Sequence, residues 1–169
     1  SLDYARDMFM FSFYTRGMSF VDMAYLRKKD LTDGILSYRR RKTKQRMSIR
    51  WERCMQEIVD KYDSSRSSFL LPIIRPDSCF EERRQYIYAS HNSNHSLKAL
   101  SRRLEMDIPL TMYVARHSWA SIARSKNIPL AVISEGMGHE SESTTRIYLA
   151  SLSTNIIDEA NSMIIESLF

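Results

Sequence analysis

The sequence predicts a mainly α fold with a small β-hairpin sheet. Three observations carry this reading. Gly and Pro number four each in 169 residues, so little interrupts regular structure. Most apolar residues recur at the three- and four-residue spacing of a helix face. One turn signal, Thr32-Asp33-Gly34, precedes short runs suited to a hairpin. Hydrophobic residues make up 43%, which marks a folded chain rather than a disordered one. The length suits a single domain with a real core.

In chain order, Leu2 to Tyr14 reads as a helix with Leu2, Ala5, Phe9 and Phe13 near one face. Gly17 interrupts, and Ser19 is placed to cap a second helix, Phe20 to Leu26. After the turn, Ile35 to Tyr38 pairs with Met47 to Ile49, and the tip carries Arg41-Lys42-Thr43-Lys44. Trp51 to Tyr62 is helical again, Asp63 to Ser68 is a polar loop, and Phe80 to Ala89 forms the next helix. His91-Asn-Ser-Asn-His95 then reads as a cap or loop. Two His four residues apart suit a metal in principle, but no Cys pair or nearby acid completes a tetrahedral set.

Leu97, Leu100 and Leu104 mark a further helix, ended by Asp107-Ile108-Pro109. Thr111 starts another, with Val114, Trp119 and Ile122 in its stripe. Pro129 begins a third that leads to the Gly136-Met137-Gly138 turn. Ser141 and Ser143 start the short helix carrying Tyr148. A last amphipathic helix holds Ile156, Ile157, Ala160, Met163, Ile164 and Leu168.

The net charge of +5 is local. Residues 39–53 hold eight Lys/Arg against one acid, Glu52, and the remainder is slightly negative. Arg39, Arg40, Arg41, Lys44 and Arg46 form a strip suited to a polyanion, because each phosphate contact releases counterions. A solvated charged hairpin accounts for the same run. Apolar runs fall short of the about 18 residues that span a bilayer, so no membrane association is expected. Cys54 and Cys79 form no metal or redox pattern and suit a reducing cytoplasm. The opening residues, Ser-Leu-Asp-Tyr-Ala-Arg, look like the interior of a larger protein.

Thr111 to Tyr148 carries the chemistry. Arg116-His117 opens a helical run, Gly138-His139 sits at a turn, and Tyr148 follows nine residues after His139. This order resembles the carboxy-terminal half of the tyrosine recombinase (phage integrase) family. The resemblance covers nearly the whole chain and is similar to the integrases of conjugative transposons. It implies that residues 1–169 form a tyrosine recombinase catalytic domain, with an amino-terminal DNA-binding domain outside this chain. It implies a site-specific enzyme that cuts and rejoins double-stranded DNA through a 3′-phosphotyrosyl intermediate, with no cofactor. It also implies a homo-tetramer on DNA, docked through the final helix; packing of that helix on its own domain is the plainer alternative.

The chemistry asks for residues of these kinds. Charge grows on the nonbridging phosphate oxygens as the nucleophile adds, and a bidentate Arg suits that charge better than Lys. Arg116 and His139 are the phosphate ligands, and Tyr148 is the nucleophile. Tyr is weak while protonated, with a reference pKa of about 10. Lys42 is the candidate general acid, because the family places such a Lys at a hairpin tip, often as Lys-Thr-Gly. Lys44 stays open, since a slip of two residues keeps the same face.

Two positions depart from the family pattern. Its usual His-x-x-Arg has Tyr113 at the His, and a phenol cannot act as an imidazole near neutral pH. Its first catalytic Arg aligns with Ser19. Arg16, three residues earlier and one turn away on a continuing helix, is the expected replacement. These departures keep two other functions in view: a non-catalytic DNA-binding protein on an integrase scaffold, and a type IB topoisomerase-like enzyme. A helical protein-interaction module would leave the local charge and the motif order unexplained.

Overall fold

Helix α1 spans Leu2–Tyr14, as its apolar spacing predicts. Its buried side is not the expected one. Ala5, Met8 and Phe11 face the core together with the polar Asp7 and Ser12, while Phe9 and Phe13 are half-buried. Apolarity alone misplaces the face because both buried polar groups are satisfied. Asp7 accepts from Lys61 Nζ at 2.9 Å, Tyr62 Oη at 2.8 Å and Arg6 Nη2 at 2.9 Å. Ser12 Oγ donates to Met18 O at 2.7 Å.

The computed structural model describes residues 1–63, 65–139, 141–150 and 156–168, the side chains of 156–160 excepted. Contacts divide it into two units, Ser1–Trp119 and Ala120–Phe169. In the first unit, α2 (Phe20–Tyr25) starts at Ser19, whose hydroxyl accepts from Asp22 N. A three-stranded antiparallel sheet follows in the order β1 (Leu31–Thr32), β2 (Ile35–Arg39), β3 (Arg46–Arg50). The expected hairpin is present with Tyr38 opposite Met47 and Leu36 opposite Ile49. Sequence reading missed β1. Asp33 and Gly34 both take positive φ, 53° and 73°, which suits a two-residue turn that folds Leu31–Thr32 back onto β2.

Helix α3 covers Arg53–Tyr62 and starts two residues later than expected. Trp51 stays outside it, with its indole donating to Gln56 Oε1 and its ring edge-on to Phe11. Helix α4 runs unbroken from Glu82 to Arg103, so the expected cap or loop at His91–His95 is corrected to mid-helix. Tertiary contacts override the weak propensity of Asn and Ser there. Ser93 is buried, and Asn94 Oδ1 accepts from the N–H of Met112, which opens α5 (Met112–Ser125). Met8, Phe11, Met23, Leu36, Ile58 and Leu97 anchor one hydrophobic core beneath the sheet and helices.

The second unit takes up the end of α5, then α6 (Leu130–Met137), α7 (Glu142–Ala150) and α8 (Ile156–Glu166). On α5 the buried positions are Met112, Ala115, Arg116, Ala120 and Ala123, whereas Ile122 of the expected stripe is exposed. Gly136 and Met137 finish α6, and Gly138 alone turns the chain, at φ 70°. Met163, Ile164 and Leu168 are exposed, while Ile156, Ile157 and Ala160 lie outside the described side chains. No helix among the described residues is long and apolar enough to cross a membrane.

Candidate active site

Arg116 is buried on α5, and its Nη1 donates to Gly17 O at 3.1 Å. Gly17 makes that approach possible. A Cβ on Gly17 would lie 2.6 Å from Arg116 Cα, and its φ of +73° already disfavours a side chain. The turn behind it is tied off by Gly17 N donating to Ser12 O. Arg16, at φ 65°, is also left-handed, so the expected helical turn from Arg16 to Ser19 is corrected: α1 ends at Tyr14. Arg16 instead reaches the sheet, with Nη2 donating to Ser48 O at 3.2 Å.

The basic run at the hairpin separates by strand alternation. Arg39 and Arg46 stand opposite each other on the exposed face, with Ser37, Ser48 and Arg50 on the same side. Arg50 was not singled out from the sequence, although period-two counting from Arg46 finds it. Arg40 continues the inward row of Leu36 and Tyr38 and is buried. Arg41 lies over the Tyr25 ring, 3.4 Å from its centroid, and its N–H donates to Asp22 Oδ1 at 2.9 Å. These bonds pin the tip, where Lys42 and Lys44 are exposed and Lys44 takes φ 61°.

Asp22, Tyr38, Arg40, Arg41 and Lys44 line a cleft of about 250 Å³. Burial pushes the Tyr38 phenol well above its ordinary pKa; Asp22 adds to the rise, and Arg40, Arg116 and Arg16 oppose it. The structure therefore brings Arg16, Arg40 and Arg116 within electrostatic reach of one hydroxyl. Tyr113 is exposed, with its ring edge-on to His117 at 4.5 Å. Burial first, then Arg116, holds the His117 pKa below its usual value.

In the second unit, Gly138 ends α6 and His139 N donates back to Ser134 O. His139 Nδ1 shares a 2.6 Å hydrogen bond with Thr145 Oγ1, and Thr145 is fully buried. The His139 ring stands 5.9 Å from that of Tyr148, inclined at 68°. Sequence reading missed Thr145. Its signal was the three-residue spacing from Tyr148, which puts both on one side of α7. Arg124 Nη1 donates to Leu149 O at 2.7 Å beside that helix. Among the described residues no cluster of three His, Cys, Asp or Glu could hold a metal, and His91 and His95 are exposed on α4.

The model of the phage integrase family matches residues 2–154. The chain belongs to that family. No curated protein matches. Among solved structures, XerA recombinase is similar at 16% identity and TM-score 0.63, over 96% of this chain and 63% of that one. A post-cleavage complex of XerH site-specific recombinase with palindromic difH substrate is similar at 17% identity and TM-score 0.65. It covers 94% of this chain and 45% of that one. A lambda integrase dimer bound to a COC′ core site gives 16% and 0.56, over 86% and 52%. At such identity these likenesses show the fold, a mostly helical catalytic domain with a small antiparallel sheet. The chain spans less than two thirds of each of these solved chains.

Proposed function

We propose that this chain is the catalytic domain of a site-specific DNA recombinase or integrase, acting through a 3′-phosphotyrosyl intermediate. The observation that carries the reading is the His139–Thr145–Tyr148 arrangement within a chain that the family model matches from residue 2 to 154. Tyr148 Oη attacks the scissile phosphorus and loses its proton as the new P–O bond forms. The bond to the 5′-oxygen breaks, and Lys42 gives that oxygen a proton. Arg116 and His139 hold the nonbridging oxygens, Arg16 supplies the guanidinium that Ser19 lacks, and Tyr113 supports the phosphate or Tyr148. Arg39, Arg46 and the tip residue Lys44 contact the DNA backbone, with Arg40 and Arg41 behind them.

The phosphotyrosyl bond conserves the energy of the cleaved one, so a 5′-hydroxyl of another strand reverses the step without metal or nucleotide. The working form is a homo-tetramer on double-stranded DNA, with an additional amino-terminal DNA-binding domain, in the cytoplasm. Exposed Met163, Ile164 and Leu168 support docking of α8 on a neighbouring copy.

A nicked duplex that loses its 5′-hydroxyl fragment traps the covalent species. The wild type should form it, and Tyr148→Phe should bind the duplex and form none. One observation favours a second reading, a non-catalytic DNA-binding protein: Ser19 is occupied as the cap of α2. Binding without any trapped adduct would decide for it. Strand exchange between two duplexes separates a recombinase from a topoisomerase-like enzyme.

A further inference from the structure

The inward row of β2 changes character along its length. Leu36 is fully buried in the core, Tyr38 packs at the core's edge, and Arg40 is a buried cation. Around Tyr38 the chain gathers three guanidiniums from distant segments. Arg40 comes from its own strand, Arg16 reaches Ser48 O on the paired strand, and Arg116 is held against Gly17. Like charges this close repel, so something must hold them without cancelling the charge that a phosphate needs. A carboxylate there would pair with an Arg and neutralise it. The nearest acid on this wall, Asp22, receives the Arg41 N–H and fixes the hairpin tip.

We infer that Tyr38 is a positioning residue of the transfer reaction, whose neutral hydroxyl orders Arg16, Arg40 and Arg116 toward one phosphate. The inference rests on the recombinase reading given above. A phenol suits the task because it both donates and accepts a hydrogen bond while carrying no charge. Burial keeps it neutral, since the ring's surroundings disfavour the phenolate. The same atom stands at the back of the cleft lined by Arg40, Arg41 and Lys44, away from solvent-exposed Arg39. Its effect is therefore on orientation of charge rather than on attraction of DNA.

Tyr38→Phe removes one oxygen and keeps the ring. Adduct formation by the intact protein would be timed on two nicked duplexes. One carries the ordinary scissile phosphate; the other carries a methyl group in place of one nonbridging oxygen, which leaves that group neutral. The variant should lose about tenfold on the ordinary phosphate, the rate equivalent of one oriented hydrogen bond. It should lose less than twofold on the neutral one, where less anionic charge asks for ordered guanidiniums. Affinity for uncut duplex should stay within twofold of wild type. Both rates come from one preparation, so their ratio does not depend on the folded fraction. Equal losses on both substrates make Tyr38 a packing residue and overturn the inference, as does an unchanged rate on the ordinary phosphate. A wild type that forms no adduct overturns the recombinase reading itself; a reactive wild type matched by Tyr38→Phe overturns only the role of Tyr38.

Discussion

His139 and Tyr148 were legible because their relation is written along the chain, nine residues apart after a Gly. Thr145 was not, because a buried Thr three residues before a Tyr on a helix reads as ordinary packing. Its bond to His139 Nδ1 sets the plane of the imidazole. Thr145→Val keeps the shape and removes the hydroxyl, and should slow adduct formation about tenfold with unchanged DNA affinity. A rate equal to wild type would reduce the bond to a helix contact. Arg16→Ala addresses the guanidinium that Ser19 lacks. Loss of an oriented donor costs about 10² to 10³ in rate, and that is the expected fall in cleavage. A rate within threefold of wild type leaves Arg16 as a brace on Ser48 O and transfers the role to Arg40. Sequence could nominate Arg16 but not its path, since the left-handed turn at Arg16-Gly17 exists only because Arg116 packs on it.

Elements reveal why the rest of the reading drifted. The hairpin was placed correctly because turn chemistry and alternation agree, yet the Arg39-Arg40-Arg41 run looked uniform until each residue took a different side. Helix α4 was read as two pieces because Asn and Ser usually punctuate. Their partners in α5 and the core are invisible in one dimension. Helix α1 shows the same limit through Asp7, which joins it to α3 by Lys61 and Tyr62. Burial alone would raise the Asp7 pKa, but the hydrogen bonds from Lys61, Tyr62 and Arg6 outweigh it and hold it below the usual carboxylate value. A carboxylate with a depressed folded pKa adds stability that is present above its unfolded pKa of about 3.9. That stability is lost as pH falls through the folded value. Asp7→Asn should cost about 1–3 kcal/mol at pH 7 by urea unfolding. The gap to wild type should narrow as the pH drops below about 4. A constant gap would assign the loss to shape rather than charge.

For the molecule as a whole, the exposed face of the sheet and the last helix set what it meets. Arg39, Arg46 and Arg50 project from one face with only serines between them. If each meets a phosphate, changing all three to Gln should reduce the slope of log affinity against log salt by about 2.7, at about 0.9 per contact. An unchanged slope on duplex DNA would leave this face solvated. Deleting residues 155–169 removes α8. Assembly on DNA, followed by sedimentation, should weaken while the remaining chain keeps its cooperative unfolding. A truncated chain that unfolds would assign α8 to its own domain instead.

The bare Cα of Gly17 separates two kinds of constraint that a residue-by-residue survey would otherwise confuse. The nearest atom across the gap is Arg116 Cα, a backbone atom, so trimming the Arg116 side chain opens no room. In a saturation library, position 116 should tolerate many residues when survival is scored by folding and almost none when scored by strand transfer. Position 17 should read as glycine under both scores, even in a background already silenced at Tyr148. Invariance there marks where two stretches of main chain must meet, and the chemistry inherits its arginine from that meeting.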